Sequence, residues 1–172
     1  DVEKTLSYLN YTPVILNVTK SGEAVPFYYF EVKNTDGKKV LFSDVSGDVI
    51  AYLLPGTYQF TATAPLCSTA KENKVIQASA TKVDLVLTES NNYGVVLYFY
   101  DKNWGDLSGV KVEIEGYETQ YTDEFGVCSY FDIPAGITLK VKASKDGYKT
   151  IESDVLVTIS DEDLADEASG VY

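Results

Sequence analysis

The sequence predicts an all-β protein made of two tandem β-sandwich domains, and three observations lead there. The first is an internal repeat. Ser43-Asp-Val-Ser-Gly-Asp-Val-Ile-Ala-Tyr-Leu-Leu-Pro-Gly56 aligns without gaps on Thr122-Asp-Glu-Phe-Gly-Val-Cys-Ser-Tyr-Phe-Asp-Ile-Pro-Ala135. Ser43 falls on Thr122, Asp44 on Asp123, Gly47 on Gly126, Leu54 on Ile133 and Pro55 on Pro134. Past the second turn, Tyr58, Phe60 and Ala62 fall on Ile137, Leu139 and Val141. A copied turn–strand–turn–strand unit marks a duplicated domain. The second observation is alternation of apolar with polar residues over short runs. The third is the near absence of helical periodicity between closely spaced turn signals.

Taken in order, residues 1–12 are weakly patterned and read as a lead-in. The first domain spans 13–89 and the second 90–172. Val14–Val18 is the first strand, and Lys20–Pro26 a turn whose proline opens the next. Phe27–Lys33 alternates loosely. Asn34-Thr-Asp-Gly37 is a hairpin turn, because Asp-Gly reaches positive φ cheaply. Lys39–Phe42 is the return strand. The repeat then supplies strands 48–54 and 57–63. Residues 65–73, with Cys67, read as a loop, and strands 75–78 and 83–87 close the domain. Thr88–Gly94 is too short for a tether, so the two domains are expected to touch end to end. In the second copy, Val95–Tyr100 is a strand, Asp101–Gly109 a turn-rich loop, and Val110–Ile114 and Ile137–Ala143 alternating strands. Asp146-Gly-Tyr148 is a turn and Val155–Ile159 the last strand. Ser160 could cap one helical turn over 161–167, and Ser169–Tyr172 could begin a further strand.

Within the repeated stretch the roles are readable from chemistry. The short polar side chain of Thr/Ser-Asp can tie the turn while Gly takes the left-handed conformation. The strand that follows ends at proline, which stops the ladder. None of this requires a ligand.

Composition narrows the function. The 172 residues carry 14 Lys+Arg against 26 Asp+Glu, a net charge of −12, with no His and no Met. All cations are lysine. Residues 1–89 hold 8 Lys and 10 acids, the remainder 6 Lys and 16 acids, so the halves carry −2 and −10. Such a surface repels phosphate backbones and anionic lipid heads, which argues against nucleic acid and membrane-surface partners. No apolar run approaches the ~20 residues of a membrane span. The chain starts at Asp1 with no basic and apolar leader ahead of it, as expected of a cytosolic chain or of a fragment whose leader has been removed. The 14 tyrosines, 7 phenylalanines and one tryptophan suit half-buried sheet faces.

The second copy contains Ser108-Gly-Val-Lys-Val112, Tyr121-Thr-Asp-Glu-Phe-Gly126, Ile133-Pro-Ala-Gly136, Leu139–Ala143 and Asp146-Gly-Tyr148; the first contains Leu54-Pro-Gly-Thr-Tyr58. These stretches resemble the carboxypeptidase-regulatory-like domain, also called transthyretin-like or prealbumin-like. They are similar too to the B-type repeats of collagen adhesins and to the X modules beside cellulosomal dockerins. The resemblance covers about residues 13–160. It implies two tandem Ig-like, transthyretin-like β-sandwiches of a secreted or cell-surface protein, bacterial by the company these families keep. The role it implies is non-catalytic: a stalk, spacer or adhesin module whose partners are neighbouring domains of a larger protein. The alternative is a binding module for a polysaccharide or protein, such as a dockerin partner.

Collagen-adhesin repeats join a lysine on the first strand to an asparagine on the last with the help of a buried acid. By that resemblance Lys20 and Asn91 are the isopeptide candidates, but Ala62 stands where the acid belongs, and a solvated turn lysine is the simpler reading. Asp101-Lys-Asn-Trp-Gly-Asp106 loosely echoes a calcium loop and fails at its fifth and twelfth positions, Gly105 and Val112. The acidic run Asp161, Asp163, Asp166 and Glu167 reads as a solvated face. Without histidine the common triads and zinc sites are unavailable. No enzyme and no cofactor are expected. Cys67 and Cys128 occupy non-equivalent places and are expected as free thiols. Asn10-Tyr-Thr12 and Asn17-Val-Thr19 are formal glycosylation acceptors. Trp104, with Tyr100 nearby, is the candidate ligand contact. It could form a stacking platform for sugar, or fold back as a hydrophobic lid over the sandwich end, which the sequence favours.

Overall fold

The computed structural model describes residues 10–158. Its chain divides into two compact units, residues 1–90 and 91–172. Every element among the described residues is a β-strand, so the protein is all-β as the patterning implied.

The first unit contains β1 (Thr12–Lys20), β2 (Glu23–Ala24), β3 (Tyr28–Asn34), β4 (Lys39–Val45), β5 (Val49–Leu53), β6 (Gly56–Thr63), β7 (Cys67–Ser68), β8 (Ala70–Ile76) and β9 (Thr81–Glu89). One sheet runs β2-β1-β9-β7, with β5 also on β1; the other runs β4-β3-β6-β8. Strand β1 pairs antiparallel with β5 and parallel with β9, from Val14 opposite Thr81 to Lys20 opposite Leu87. Alternation decides which side chains meet. Val14, Leu16 and Val18 of β1 and Val83, Leu85 and Leu87 of β9 turn inward, against Tyr28, Phe30 and Val32 of β3 and Phe60 and Ala62 of β6. Each such apolar side chain taken out of water contributes about 1.5–3 kcal/mol before chain entropy is subtracted.

The second unit contains β10 (Asn92–Tyr98), β11 (Lys111–Ile114), β12 (Gln120–Tyr121), β13 (Val127–Pro134), β14 (Thr138–Ser144) and β15 (Ile151–Leu156). Its sheets are β10-β13 and β12-β11-β14-β15. The pairing β10-β13 matches β1-β5, and β12-β11-β14-β15 matches β4-β3-β6-β8, in the same chain order. Among the described residues no strand stands beside β10 as β9 stands beside β1. The core is built from Tyr93, Val95, Val112, Ile114, Cys128, Tyr130, Ile133, Leu139, Val141, Ala143 and Val157.

In the second copy the repeated turn works as its chemistry suggests. Asp123 Oδ1 accepts hydrogen bonds from the N–H groups of Phe125 (2.9 Å) and Val127 (3.1 Å). Thr122 Oγ1 accepts from Val110 N–H at 2.9 Å and donates to the Leu107 carbonyl. Gly126 has φ +72°, and a Cβ there would lie 2.5 Å from the Phe99 carbonyl oxygen and 3.0 Å from Leu107 N. In the first copy Gly47 also has positive φ, at +81°, yet faces open space.

Several sequence expectations are corrected. Residues 65–73 are not one loop: β7 holds Cys67 in the core, and β8 already starts at Ala70. The inward positions of β8 are Ala70, Glu72, Lys74 and Ile76, too polar to show alternation. The strand expected at 155–159 is β15 at Ile151–Leu156, an exposed edge; the buried Val157 lies just past it and exchanges backbone hydrogen bonds with Ile137 and Gly136. The first strand begins at Thr12, inside the expected lead-in. The helical turn at 161–167, the strand start at 169–172, the acidic run and residues 1–9 of the lead-in lie outside the described residues.

Candidate functional site

Three connections of the second unit meet at one end. They are residues 99–110 between β10 and β11, 122–126 between β12 and β13, and 145–150 between β14 and β15. Backbone hydrogen bonds lock them together. Phe99 N–H donates to Gly126 O and Leu107 N–H to Phe99 O, both at 2.9 Å. Gly109 N–H donates to Thr122 O at 2.9 Å and Thr122 N–H to Val110 O at 3.0 Å. The Lys145 ammonium donates to Ser108 O at 2.6 Å. The tightly bonded Gly126 turn, which has no room for a side chain, is therefore the anchor of this end.

Trp104 sits at the tip of the first connection. Asp101 Oδ1 accepts from Asn103 N–H (2.7 Å) and Gly105 N–H (2.9 Å), while Asp101 N–H donates to Gly105 O at 2.8 Å. Asp101 Oδ1 thus shapes the turn. Trp104 takes φ +64°, a left-handed conformation costing an L-residue roughly 1–2 kcal/mol. The expectation of a lid is overturned: Trp104 is 83% exposed. Asp101 closes the turn around it and turns the indole outward, where its partner is Tyr100, 45% exposed, at a ring distance of 6.1 Å. Tyr100 in turn lies 6.5 Å from Tyr98 with ring planes 8° apart.

Beside this platform is a shallow groove of about 550 Å³, lined by Gly109, Lys111, Tyr121, Ser144, Tyr148 and Thr150 and by the turn residues Lys145–Gly147. Register builds it: Lys111 pairs with Tyr121 on one side and with Ser144 on the other. Val112 and Ala143 point into the core, so Lys111 and Ser144 face outward. Tyr121 is 63% and Tyr148 49% exposed. Lys111 Nζ lies 2.7 Å from Glu113 Oε1. That hydrogen bond raises the lysine pKa and lowers that of the glutamate. Sequence reading found Trp104 and Tyr100 but missed the groove, whose residues come from three separate stretches.

The first unit holds a buried ionic cluster that alternation also missed. Glu31, on the outward set of β3, is 1% exposed, and its carboxylate lies 3.2 Å from Lys39 Nζ, itself 4% exposed. Lys33 Nζ is 3.0 Å away and the Tyr29 hydroxyl donates at 3.1 Å. Lys39 also sits 5.2 Å over the Phe42 ring. Burial pushes the Glu31 pKa up, but the Lys39 and Lys33 ammoniums outweigh it and hold the group below the ordinary glutamate range. Burial raises the Tyr28 and Tyr130 hydroxyls to about 12.

Of the isopeptide candidates, Lys20 ends β1 half-buried in the first unit. Asn91 opens the second, exposed, with its carbonyl accepting from Ala135 N–H at 2.8 Å. Ala62, at the place of the assisting acid, is buried in the core. Cys67 and Cys128 are buried and not joined in a disulfide, and burial raises the Cys67 thiol pKa. Among the described residues no three His, Cys, Asp or Glu side chains gather as metal ligands, and no helix is long and apolar enough to cross a membrane.

No protein-family model and no curated protein matches the chain. Solved structures of similar fold include the Bacillus anthracis TIE protein, at 19% identity and TM-score 0.36 over 83% of this chain. A streptococcal ancillary pilin is similar at 13% identity and TM-score 0.40 over 88%. The shaft pilin SpaA from Lactobacillus rhamnosus GG is similar at 11% identity and TM-score 0.40 over 84% of this chain and 92% of its own. The chain spans 30% of the first of these proteins and 60% of the second. Likenesses this loose assign neither a family nor the role of any residue.

Proposed function

We propose that the chain is a non-catalytic, adhesin-type module of a secreted or cell-surface bacterial protein, formed by two tandem transthyretin-like sandwiches. In this reading the first unit is a spacer and the second presents an interaction surface at its loop end. One observation carries it. Among the described residues, the exposed aromatic side chains of the second unit, Tyr100, Trp104, Tyr121 and Tyr148, all lie on or beside the three connections that meet at that end. Exposed rings also occur in the first unit, where Phe27 and Tyr52 are 61% and 62% exposed, but in the second they gather on connections bonded to one another. Gathered exposed rings mark a contact surface. The surface location rests on the family resemblance of the repeated motifs.

The test is retention of beads coated with the full chain on immobilised cell-wall polysaccharides and extracellular-matrix proteins. Retention should occur on at least one surface and fall when Tyr100, Trp104, Tyr121 and Tyr148 are all changed to Ala. Equal retention of both chains would remove the interaction surface from the reading.

A further inference from the structure

We infer that the groove between Tyr121 and Tyr148 binds a neutral polysaccharide, with pyranose rings seated against the two tyrosines. The inference rests on the interaction-surface reading and gives it a ligand class. The two rings are not core residues: they stand on opposite sides of the groove at 63% and 49% exposure. An exposed tyrosine ring can stack on the C–H face of a sugar ring. Between them the lining mixes donors, acceptors and hydroxyls. Lys111 and Lys145 donate, Asp146 accepts, and Ser144 and Thr150 do both. A sugar hydroxyl also donates and accepts, so this mixture complements a run of hydroxyls.

The geometry keeps these groups in place. One of the three N–H bonds of Lys145 is used on Ser108 O at 2.6 Å, which fixes the ammonium over the groove. Tyr148 N–H donates to Lys145 O at 3.0 Å, closing the turn that carries Asp146 and Gly147. Gly109 and Gly147, at φ +71° and +81°, line the groove without side chains, so a ligand can approach the backbone.

Other ligand chemistries fit less well. The −10 carried by residues 90–172 opposes polyanions at long range. The two lysines oppose a cationic chain within the groove. A lipid tail or drug-like molecule needs an enclosed apolar pocket, whereas this groove is shallow and rimmed by charge. The Tyr100–Trp104 platform at the same end offers a longer glycan a second stacking surface.

The test is calorimetric titration of the full chain with cellohexaose, xylohexaose, mannohexaose and laminarihexaose, repeated with Tyr121→Ala, Tyr148→Ala and Asp146→Ala. At least one neutral hexasaccharide should bind. Each tyrosine change should weaken it about tenfold, the scale expected for losing one buried ring face. The unfolding midpoint should be unchanged, since these side chains are exposed. Binding that survives both tyrosine changes would overturn the assignment, as would absence of binding to all four sugars. Binding only to an acidic polysaccharide such as polygalacturonate, and lost on adding salt, would overturn it as well. If the aromatic end governs bead retention but no neutral sugar binds, the ligand class is wrong and the interaction surface stands. If it governs neither, both fail.

Discussion

Gly126 and Gly47 occupy the same place in the repeat and have nearly the same backbone conformation, at φ +72° and +81°. Replacing each with Ala separates two effects that a sequence alignment merges. At Gly47 nothing lies within 4 Å of an added Cβ, so the cost is that of a left-handed L-residue alone, roughly 1–2 kcal/mol. At Gly126 the same cost applies, and the Cβ also meets the Phe99 carbonyl oxygen at 2.5 Å and Leu107 N at 3.0 Å. Both are backbone atoms, and neither can swing away. Relief requires opening Phe99 N–H to Gly126 O and Leu107 N–H to Phe99 O, both 2.9 Å, at about 1 kcal/mol each. Gly126→Ala should therefore cost about 3–4 kcal/mol, some 2 kcal/mol more than Gly47→Ala. The assay is thermal and urea unfolding of the full chain, with the single Trp104 reporting the second unit by fluorescence. For domains of this size 1 kcal/mol moves Tm by about 4–8 °C. Gly126→Ala should thus lower the midpoint of the second unit by more than about 12 °C. Equal losses for the two variants, or a larger loss for Gly47→Ala, would refute the idea that close backbone approach makes this glycine necessary.

Two further outcomes follow from the sites above. Glu31 has a folded-state pKa below its ordinary value of 4.5, so its ionised form stabilises the fold. That stability is present above pH 4.5 and is lost as pH falls through the lower folded value. Glu31→Ala, which strands the buried Lys39, should destabilise the first unit at neutral pH by about 3–5 kcal/mol, and its unfolding midpoint should depend less on acid below pH 4.5; an unchanged acid profile would show that the pair does not set it. Trp104→Gly removes a left-handed L-residue and should raise stability by about 0.5–1 kcal/mol, whereas a lower Tm would mean that the indole packs on the unit after all.

What the sequence disclosed depends on whether the physics is local. The Asp123–Gly126 turn was readable because its hydrogen bonds span four residues or fewer. The strands with apolar alternation, such as Lys111–Ile114 and Thr138–Ser144, were readable because each has one buried face. Strand β8 was not, because Glu72 and Lys74 take inward positions near a sheet edge. Burial of Glu31 and Lys39 was equally invisible, since alternation assigns Glu31 to the outward set and gives no sign that this position is closed to water. The groove was hidden for a related reason: only the pairing of Lys111 with both Tyr121 and Ser144 makes neighbours of residues that are distant in the chain. Trp104 was noticed by type and misjudged in direction, although the Asp101 bonds that close its turn span two and four residues, the same local pattern as at Asp123, because Asp101 was weighed as a calcium ligand rather than as a turn-closing carboxylate.

The parallel arrangement of β1 and β9 also governs how the first unit carries force. The chain enters through one of these strands and leaves through the other, and they are joined along seven residue pairs. Traction applied to the two ends slides one strand along its neighbour, so all the rungs between Val14 and Lys20 share the load at once and none opens first like a zipper. A hairpin placed at the same ends would peel apart rung by rung. Pulling along that axis would therefore have to shear the whole β1–β9 ladder rather than open it one rung at a time.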